Sequence, residues 1–482
     1  MDLLGIIFII YLVFLLIVGL ATYKYNKTQE DYLLAGRKLG PWVVAFSERA
    51  SGESAWLLLA LPGAAITIGL GEVWAVVGII LGITASWYLI AEKLRDETEK
   101  YNALTIPEYL HKKYKDESKI IRYFSSIIIA FFFLFYVSAQ FHASGKVLNS
   151  LFEIDPITGI TVGALIIIIY TLMGGFFAVA WTDLLQGLLM IGTLIILPIA
   201  GFIELSESDK TIQDGLLIAE KLFKNHNSDI LMGRTGLGAF AVVLGGVSWG
   251  FGYLGQPHLL TRYMAISSSK KIKIARRIAI IWAFPGITGS FLVGIVALLH
   301  FSPAYFLSVD PEKSMPLLAT DILHPVIAGM FISGAVAAMM STADSQLLVS
   351  TSAITEDLGI GIKVRDRFLD VVTNSRIFTI VMGFIAYGIA IFSQYTGKTI
   401  FSVVSYAWSG LGSAFGPALL LTLWWDRTTR KGVIAGIITG FFTTIIWSNI
   451  PELRSMITER LTSFIFAFLA VVIISIKTQN ED

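Results

Sequence analysis

Two long apolar segments of this chain are interrupted by small, polar and helix-breaking residues where a membrane helix is usually continuous. The first interruption covers residues 50–56 and is followed by Pro62 and Gly63, and the second is the glycine-rich stretch 245–257. Backbone N–H and C=O groups without partners are costly in hydrocarbon, so irregular backbone persists there only where it lines a cavity or binds a ligand. Two such breaks in different halves of a chain indicate a transporter's binding site.

The composition indicates that lipid surrounds most of the chain. It is 55% hydrophobic and 15% charged, whereas a soluble domain is about 45–50% apolar and about 25% charged. The absence of cysteine excludes disulfides, thiol catalysis and cysteine metal sites. No basic stripe with interleaved aromatic residues indicates a nucleic-acid partner.

The apolar runs predict an all-α polytopic membrane protein with about thirteen spans. The first run has no basic region before it and no small-residue cleavage pattern after it, so we interpret it as a retained helix. The predicted spans are 3–22, 42–70, 74–95, 120–150, 157–177, 182–204, 234–265, 275–300, 315–353, 376–394, 398–424, 431–448 and 458–476.

Lysine and arginine in the connections predict the orientation. Basic clusters fall in alternate connections, which are 23–40, 93–122, 270–277, 363–367 and 427–431. The positive-inside rule then places the N-terminus outside and the C-terminus inside, which requires an odd number of spans. No connection is long enough for a soluble domain, so we expect one domain in the cell membrane. The broken spans are the second and the seventh, which are five apart. A five-helix unit repeated with inverted topology would place them at matching positions.

The first break could bind a hard cation such as sodium. Ser51 and Ser54 supply hydroxyl groups, and an unwound turn exposes carbonyl oxygens. The alternative is a kink at which Gly52 allows close helix packing. These residues alone do not decide between the two interpretations.

The ninth span carries Ser341, Thr342 and Ser345 within little more than one turn, so their oxygens could complete a cation site with the first break. Hydroxyls that bond back to their own helix are the alternative. Asp344 favours a functional role, because a carboxylate inside a span is a candidate by default. We interpret Asp183 as the N-cap of the sixth span, with a cation relay to Asp344 as the alternative.

Charged and aromatic residues flank the two breaks. We interpret Glu48, Arg49 and Glu53 as a structural ion-pair cluster, with a titrating carboxylate as the alternative. Trp249 and Tyr253 are four residues apart among glycines, which favours a cavity for a small apolar ring or side chain over a simple packed pair. Arg262, which follows the second break, is expected to face the inner water.

Several stretches resemble the sodium/solute symporter family, most closely its bacterial sodium/proline symporters. Residues 249–258 fit the pattern W-G-x-G-Y-x-G-Q-P-H of that group. Further matching stretches, in the same order along almost the whole chain, are 56–63, 181–183, 340–358 and 404–417. The resemblance implies sodium-coupled import of L-proline by alternating access. It implies no enzymatic activity and no cofactor besides the coupling ion.

The resemblance also implies a LeuT-type inverted repeat of five plus five helices with extra helices. Residues 1–40 would form an extra first helix and loop, 41–205 the first repeat, 234–425 the second repeat, and 430–482 two extra C-terminal helices. Matching positions imply a sodium site formed by the carbonyls of Ala50, Glu53 and Ala338 and the hydroxyls of Ser341 and Thr342. They imply a substrate site at Ser54, Tyr136, Trp249, Tyr253 and Pro257, and an ion route or coupling set at Asp183, Asp344, Ser345, Glu48 and Arg49.

One position departs from the family pattern. Proline symporters typically carry an aspartate where this chain has Gly52, and the carboxylate here is one residue later, at Glu53. Two alternatives therefore stay open. Coupling could use protons through Glu53 or Asp344, and the solute could be another amino acid or a carboxylate.

Overall fold

The computed structural model describes residues 3–22, 28–207, 211–361 and 367–479, and these residues are almost entirely helical. Two isolated β-bridges, Leu39 with Ile266 and Gly69 with Asn227, are the extent of β pairing in these ranges. The helices of the N-terminal half are α1 Leu3–Thr22, α2 Gln29–Leu34, α3 Pro41–Ala55, α4 Leu61–Thr67, α5 Val73–Ala85, α6 Ala91–Lys100, α7 Ile106–Lys113, α8 Ile120–Phe152, α9 Pro156–Met173, α10 Phe176–Ser206 and α11 Ile212–Leu222.

The helices of the C-terminal half are α12 Gly236–Val247, α13 Trp249–Gly252, α14 Pro257–Ala265, α15 Ile272–Phe301, α16 Ser314–Ile322, α17 Pro325–Ser352, α18 Arg367–Tyr395, α19 Ile400–Trp424, α20 Arg430–Asn449, α21 Pro451–Met456 and α22 Glu459–Thr478. Single π-helical turns occupy Trp56–Ala60, Ser86–Ile90 and Ala353–Asp357. Short 3₁₀ segments occupy Ala35–Arg37, Leu70–Glu72, Ser269–Lys271, Pro303–Leu307 and Pro311–Lys313.

Each of the thirteen predicted spans coincides with a helix or a group of consecutive helices. Within the described ranges, eight helices are long and apolar enough to cross a membrane, and the bent pair formed by α12–α13 and α14 makes a ninth. The number thirteen and the sides of the two termini stay predictions. The ninth predicted span, 315–353, is wrong as one helix, because the chain breaks before Pro325 and the His324 side chain caps the start of α17.

The first break lies at Ser54, in the last turn of α3 and just before the π turn that leads into α4. Ser54 has φ 52° and ψ −168°, which no helix allows, while its neighbours keep helical angles. The N–H of Ala55 donates to Gln140 Oε1 (3.1 Å) on α8. In an unbroken helix that N–H would bond the carbonyl of Ser51. A side chain of another helix therefore supports the break.

The second break is a bend of 47° between α13 and α14. Glycines allow α13 to cross α5 with almost no space between the two backbones. A Cβ on Gly250 would lie 2.2 Å from the Gly78 carbonyl oxygen. A Cβ on Gly252 would lie 1.8 Å from Trp408 Nε1. The glycines therefore set how close the broken span comes to α5 and α19.

Helix α17 forms the centre of the bundle. In its most apolar 18-residue stretch, 83% of the residues are buried. It packs against α1, α3, α8 and α10. This packing brings its hydroxyl-bearing turn against the first break.

Candidate functional site

Hydroxyls of α17 meet carbonyl oxygens of α3 one turn before the first break. Ser341 Oγ lies 3.1 Å from the Ala50 carbonyl oxygen and 3.1 Å from that of Ala338. Thr342 Oγ1 donates to the carbonyl of Ser51 at 3.0 Å. The structure thus brings together Ala50, Ala338, Ser341 and Thr342, as the sequence predicts, and adds the carbonyl of Ser51.

This group of oxygens suits a sodium ion. Hard cations prefer carbonyl and hydroxyl oxygens, and the five residues that supply these oxygens are all fully buried. The Ser51 carbonyl lacks its usual helical donor, because the Ala55 N–H bonds Gln140. Glu53 lies in the same turn, and its carbonyl accepts the N–H of Trp56. Its place in the sodium site stays a prediction.

A buried ion pair lies beside this cluster. Arg262, on α14, donates to Asp183 Oδ2 (2.9 Å) and to the hydroxyls of Ser47 (3.0 Å) and Ser51 (2.6 Å). It also bonds the hydroxyl of Ser345. Both charged side chains are fully buried, so Arg262 ties the second broken span to α3, α10 and α17.

Two expectations about this ion pair are wrong. Arg262 does not face water, because its side chain has no exposed surface. Asp183 does not cap α10, because the helix begins at Phe176 and Asp183 lies two turns inside it.

The predicted coupling residues Asp183, Ser345 and Asp344 form one buried network. Ser51 Oγ lies 3.1 Å from Asp183 Oδ2 and 3.1 Å from Ser345 Oγ. Ser345 Oγ lies 3.3 Å from Asp344 Oδ1. Asp344 Oδ2 has no hydrogen-bond partner among the described residues. The network therefore joins the cation cluster to a buried carboxylate with a free oxygen.

Glu48, Arg49 and Glu53 form the ion-pair cluster that the sequence predicts. Arg49 lies between the two carboxylates, with Nη1 2.5 Å from Glu53 Oε1 and Nε 2.7 Å from Glu48 Oε2, and all three side chains are fully buried. Tyr253 donates to the Glu53 carboxylate at 3.2 Å, and Trp87 Nε1 donates to Glu48 at 3.1 Å. The cluster therefore links the two broken spans.

Aromatic side chains surround the first break on the side of α8 and α19. The ring centroid of Trp249 lies 4.8 Å from that of Trp56, and the centroids of Tyr253 and Trp408 are 4.7 Å apart. Tyr136 lies 6.3 Å from Trp408 by the same measure. Trp408 Nε1 donates to the Trp249 carbonyl at 3.0 Å, which fixes this wall.

Four of the five predicted substrate residues meet at this wall. Ser54 Oγ accepts the N–H of Trp56 (3.0 Å) and lies 3.5 Å from Tyr136 Oη. Pro257 is the exception, because it starts α14 and lines a different, very small cavity with Thr261. Ser54 itself is fully buried, and the turn that carries it also carries Ala50 and Ser51. A cation and a solute bound here would therefore share one turn of backbone.

Comparison with known proteins decides the family. A family model described as "Sodium:solute symporter family" matches residues 32–440. The chain belongs to the sodium:solute symporter family. Members of this family are transporters, so this multi-pass protein of the cell membrane is a transporter and not an enzyme.

Two curated family members illustrate the likeness. The high-affinity proline transporter PutP of Bacillus subtilis is 38% identical over 467 residues, which cover 96% of this chain and 96% of the relative. The sodium/proline symporter of Escherichia coli is 36% identical over 475 residues, 97% of this chain and 92% of that protein. The resemblance drawn from the motifs is thus confirmed.

Solved structures confirm the LeuT-type fold of this symporter. A Na⁺-coupled sialic acid symporter, solved in a substrate-bound outward-open state, matches with a TM-score of 0.80 at 19% identity, over 100% of this chain and 98% of the other. The nucleobase-cation-symport-1 family transporter Mhp1 matches with a TM-score of 0.52 at 11% identity, covering 93% of each chain.

Proposed function

We propose that this symporter imports L-proline together with sodium by alternating access. The observation that carries the proposal is the meeting of Ser341 and Thr342 with the carbonyls of Ala50 and Ser51, one turn from Ser54 and its aromatic wall. The names of the two relatives support proline as the solute. In this account the protein uses no cofactor, and its partners are sodium, the solute and the bilayer, with no nucleic acid.

The cation would act by ordering the broken turn. Sodium held by oxygens of α3 and α17 pulls these two helices together and fixes residues 50–55. The turn then presents the Ser54 hydroxyl to the polar groups of the solute, while the rings of Trp56 and Trp249 cover its apolar ring. A solute therefore binds better once sodium has bound.

Transport would follow from movement of the broken spans between two arrangements. We assign 41–205 and 234–425 to the two inverted repeats, with 1–40 and 430–482 as additions, the N-terminus outside and the C-terminus inside. Relative rocking of the repeats would open the shared site to one side at a time. The inward movement of one positive charge releases about 2.3 kcal/mol per 100 mV of membrane potential, which drives accumulation of the solute.

Uptake into proteoliposomes tests this proposal. We expect radioactive L-proline to accumulate under an inward sodium gradient and to leak out when the gradient is dissipated. A proton gradient without sodium should drive no accumulation, because in this proposal only a bound cation holds the carbonyls of Ala50 and Ser51 and the hydroxyls of Ser341 and Thr342 together and orders the broken turn. Uptake driven by protons alone would overturn the sodium assignment. Failure of proline to accumulate, with inhibition by another solute, would overturn the assignment of the solute.

A further inference from the structure

A strongly basic surface lies at the end of α15 that the charge pattern places inside. Residues 270–277 contain no acidic residue and five basic ones, which are Lys270, Lys271, Lys273, Arg276 and Arg277. Four of the five side chains are exposed, and that of Arg276 is half-buried. None of the five forms an ion pair with a residue that the structure describes. Their positive charge is therefore available to a ligand.

Apolar residues continue this surface toward the middle of the membrane. Lys273, Arg277, Ile281 and Phe284 follow one another at intervals of four, four and three residues, so they lie along one face of α15. Ile281 and Phe284 are exposed, and so is Leu81 on α5, the helix along which α15 packs. We call these three residues the apolar strip. It extends about 10 Å beyond Arg277, at 1.5 Å per helical residue.

Two exposed aromatic rings at the basic end each lie against a cation. The guanidinium carbon of Arg276 is 3.7 Å from the ring centroid of Tyr88, and Nζ of Lys93 is 3.6 Å from that of Trp424. Trp424 Nε1 donates to the carbonyl of Leu89 at 2.7 Å, which ties the second ring to the residue after Tyr88. Tyrosine and tryptophan are enriched where membrane helices meet the lipid headgroups. The rings therefore place the basic end of the surface at headgroup depth.

The Arg276 side chain has a hydrogen-bond donor for which the described residues supply no acceptor. Its Nε is buried and lacks a partner among them. Stacking on the Tyr88 ring uses the face of the guanidinium and leaves the N–H donors at its edge for a ligand. Phosphate oxygens accept such donors in a bidentate arrangement. A phosphate group therefore matches both the charge and the free donor.

We propose that this surface is a binding site for an anionic phospholipid of the inner leaflet, with the phosphate at Arg276 and Arg277 and the acyl chains along the apolar strip. Anionic lipids of that leaflet are attracted to basic residues at the ends of membrane helices. A soluble phosphate would use the cations alone. A phospholipid uses the cations, the rings and the apolar strip together.

The π turn Ser86–Ile90 connects the lipid site to the buried ion-pair cluster. Tyr88 is exposed at the lipid site, whereas its neighbour Trp87 is fully buried and donates to Glu48 on α3 at 3.1 Å. A lipid that holds Arg276 on the Tyr88 ring therefore also favours the packing of this turn against the cluster. Bound lipid is expected to raise the temperature at which the protein unfolds.

Lipid binding to the purified full chain tests this proposal. Delipidated protein in detergent is titrated with phosphatidylglycerol or with phosphatidylcholine that has the same acyl chains. Native mass spectrometry counts the bound lipids, and the unfolding temperature is measured at each step. We expect one phosphatidylglycerol to bind at least about tenfold more tightly than phosphatidylcholine and to raise the unfolding temperature more. Glycerol 1-phosphate, which has no acyl chain, should produce neither effect.

Two double variants locate the site. Arg276→Gln with Arg277→Gln should weaken the binding of phosphatidylglycerol about 30-fold and remove the difference in unfolding temperature between the two lipids. Lys115→Gln with Lys119→Gln is the matched control, because it removes the same charge from exposed residues of another inner connection. Each comparison is between two lipids on one variant, so a change in the intrinsic stability of that variant cancels.

Three results would overturn the lipid site. They are equal binding of the two lipids, unchanged preference for phosphatidylglycerol in the Arg276→Gln, Arg277→Gln chain, and an equal loss of preference in the control variant. Stabilisation by glycerol 1-phosphate as large as that by phosphatidylglycerol would contradict it as well, since the ligand would then be a soluble phosphate. Transport is not measured in this test, so its outcome is independent of the solute and the coupling ion.

Discussion

Replacing Arg49 by methionine is expected to make the protein unfold at a much lower temperature. Arg49 lies between Glu48 and Glu53, and none of the three side chains is exposed. Its removal leaves two carboxylates buried without a counter-charge, and breaking a buried pair in this way costs about 3–5 kcal/mol. We expect Arg49→Met to lose most of its monodisperse peak when detergent-solubilised protein is heated and passed through size-exclusion chromatography.

A triple variant separates charge from packing in this test. In Arg49→Met with Glu48→Gln and Glu53→Gln, no buried charge is left, and the two amide oxygens can still accept from Trp87 and Tyr253. We expect this variant to regain most of the heat resistance. If Arg49→Met alone behaves like the unmodified chain, the cluster does not stabilise the contact between the broken spans.

Replacing Ser341 or Thr342 by alanine is expected to raise the sodium concentration for half-maximal uptake by about 10- to 100-fold each, because a bond to a charged group contributes about 1.5–3 kcal/mol. Each hydroxyl now lies 3.0–3.1 Å from a carbonyl of α3. The maximal rate at saturating sodium should fall much less. The measurement is proline uptake into proteoliposomes over a range of sodium concentrations.

Ser333→Ala is the matched control for these variants. Ser333 is a buried serine on the same helix, and among the described residues its hydroxyl bonds only its own helix, at the Gly329 carbonyl (2.8 Å). We expect its sodium dependence to stay within about twofold of the unmodified chain, since a hydroxyl that bonds back to its own helix adds little. An unchanged sodium dependence in both Ser341→Ala and Thr342→Ala would remove these residues from the sodium site.

The breaks were predictable because their causes are local. The glycines at 250 and 252 and the small and polar residues at 51–54 mark them in the sequence, and the structure places both breaks there. The partner of the first break was not predictable in the same way. Gln140 supports the turn from another helix, and a glutamine in an apolar span does not indicate which backbone it bonds.

The buried ion pair shows the limit of reading neighbouring residues alone. Asp183 and Arg262 are 79 residues apart, and only packing brings them together. Asp183 was interpreted as a cap because the sixth predicted span starts at residue 182, but α10 begins earlier, at Phe176. The position of Arg262 inside the predicted span 234–265 would have been the better guide, since a charge within a span requires a partner.

The central claim is that sodium and solute share the turn formed by residues 50–55, and it is tested most directly by equilibrium binding of both ligands to the purified chain. Linkage requires that sodium tighten proline binding by the same factor by which proline tightens sodium binding. We predict equal factors of at least about fivefold, the lower end of typical couplings. Both factors should approach one in the chain that carries Ser341→Ala and Thr342→Ala together. Proline and sodium affinities that are independent of each other in the unmodified chain would contradict the account.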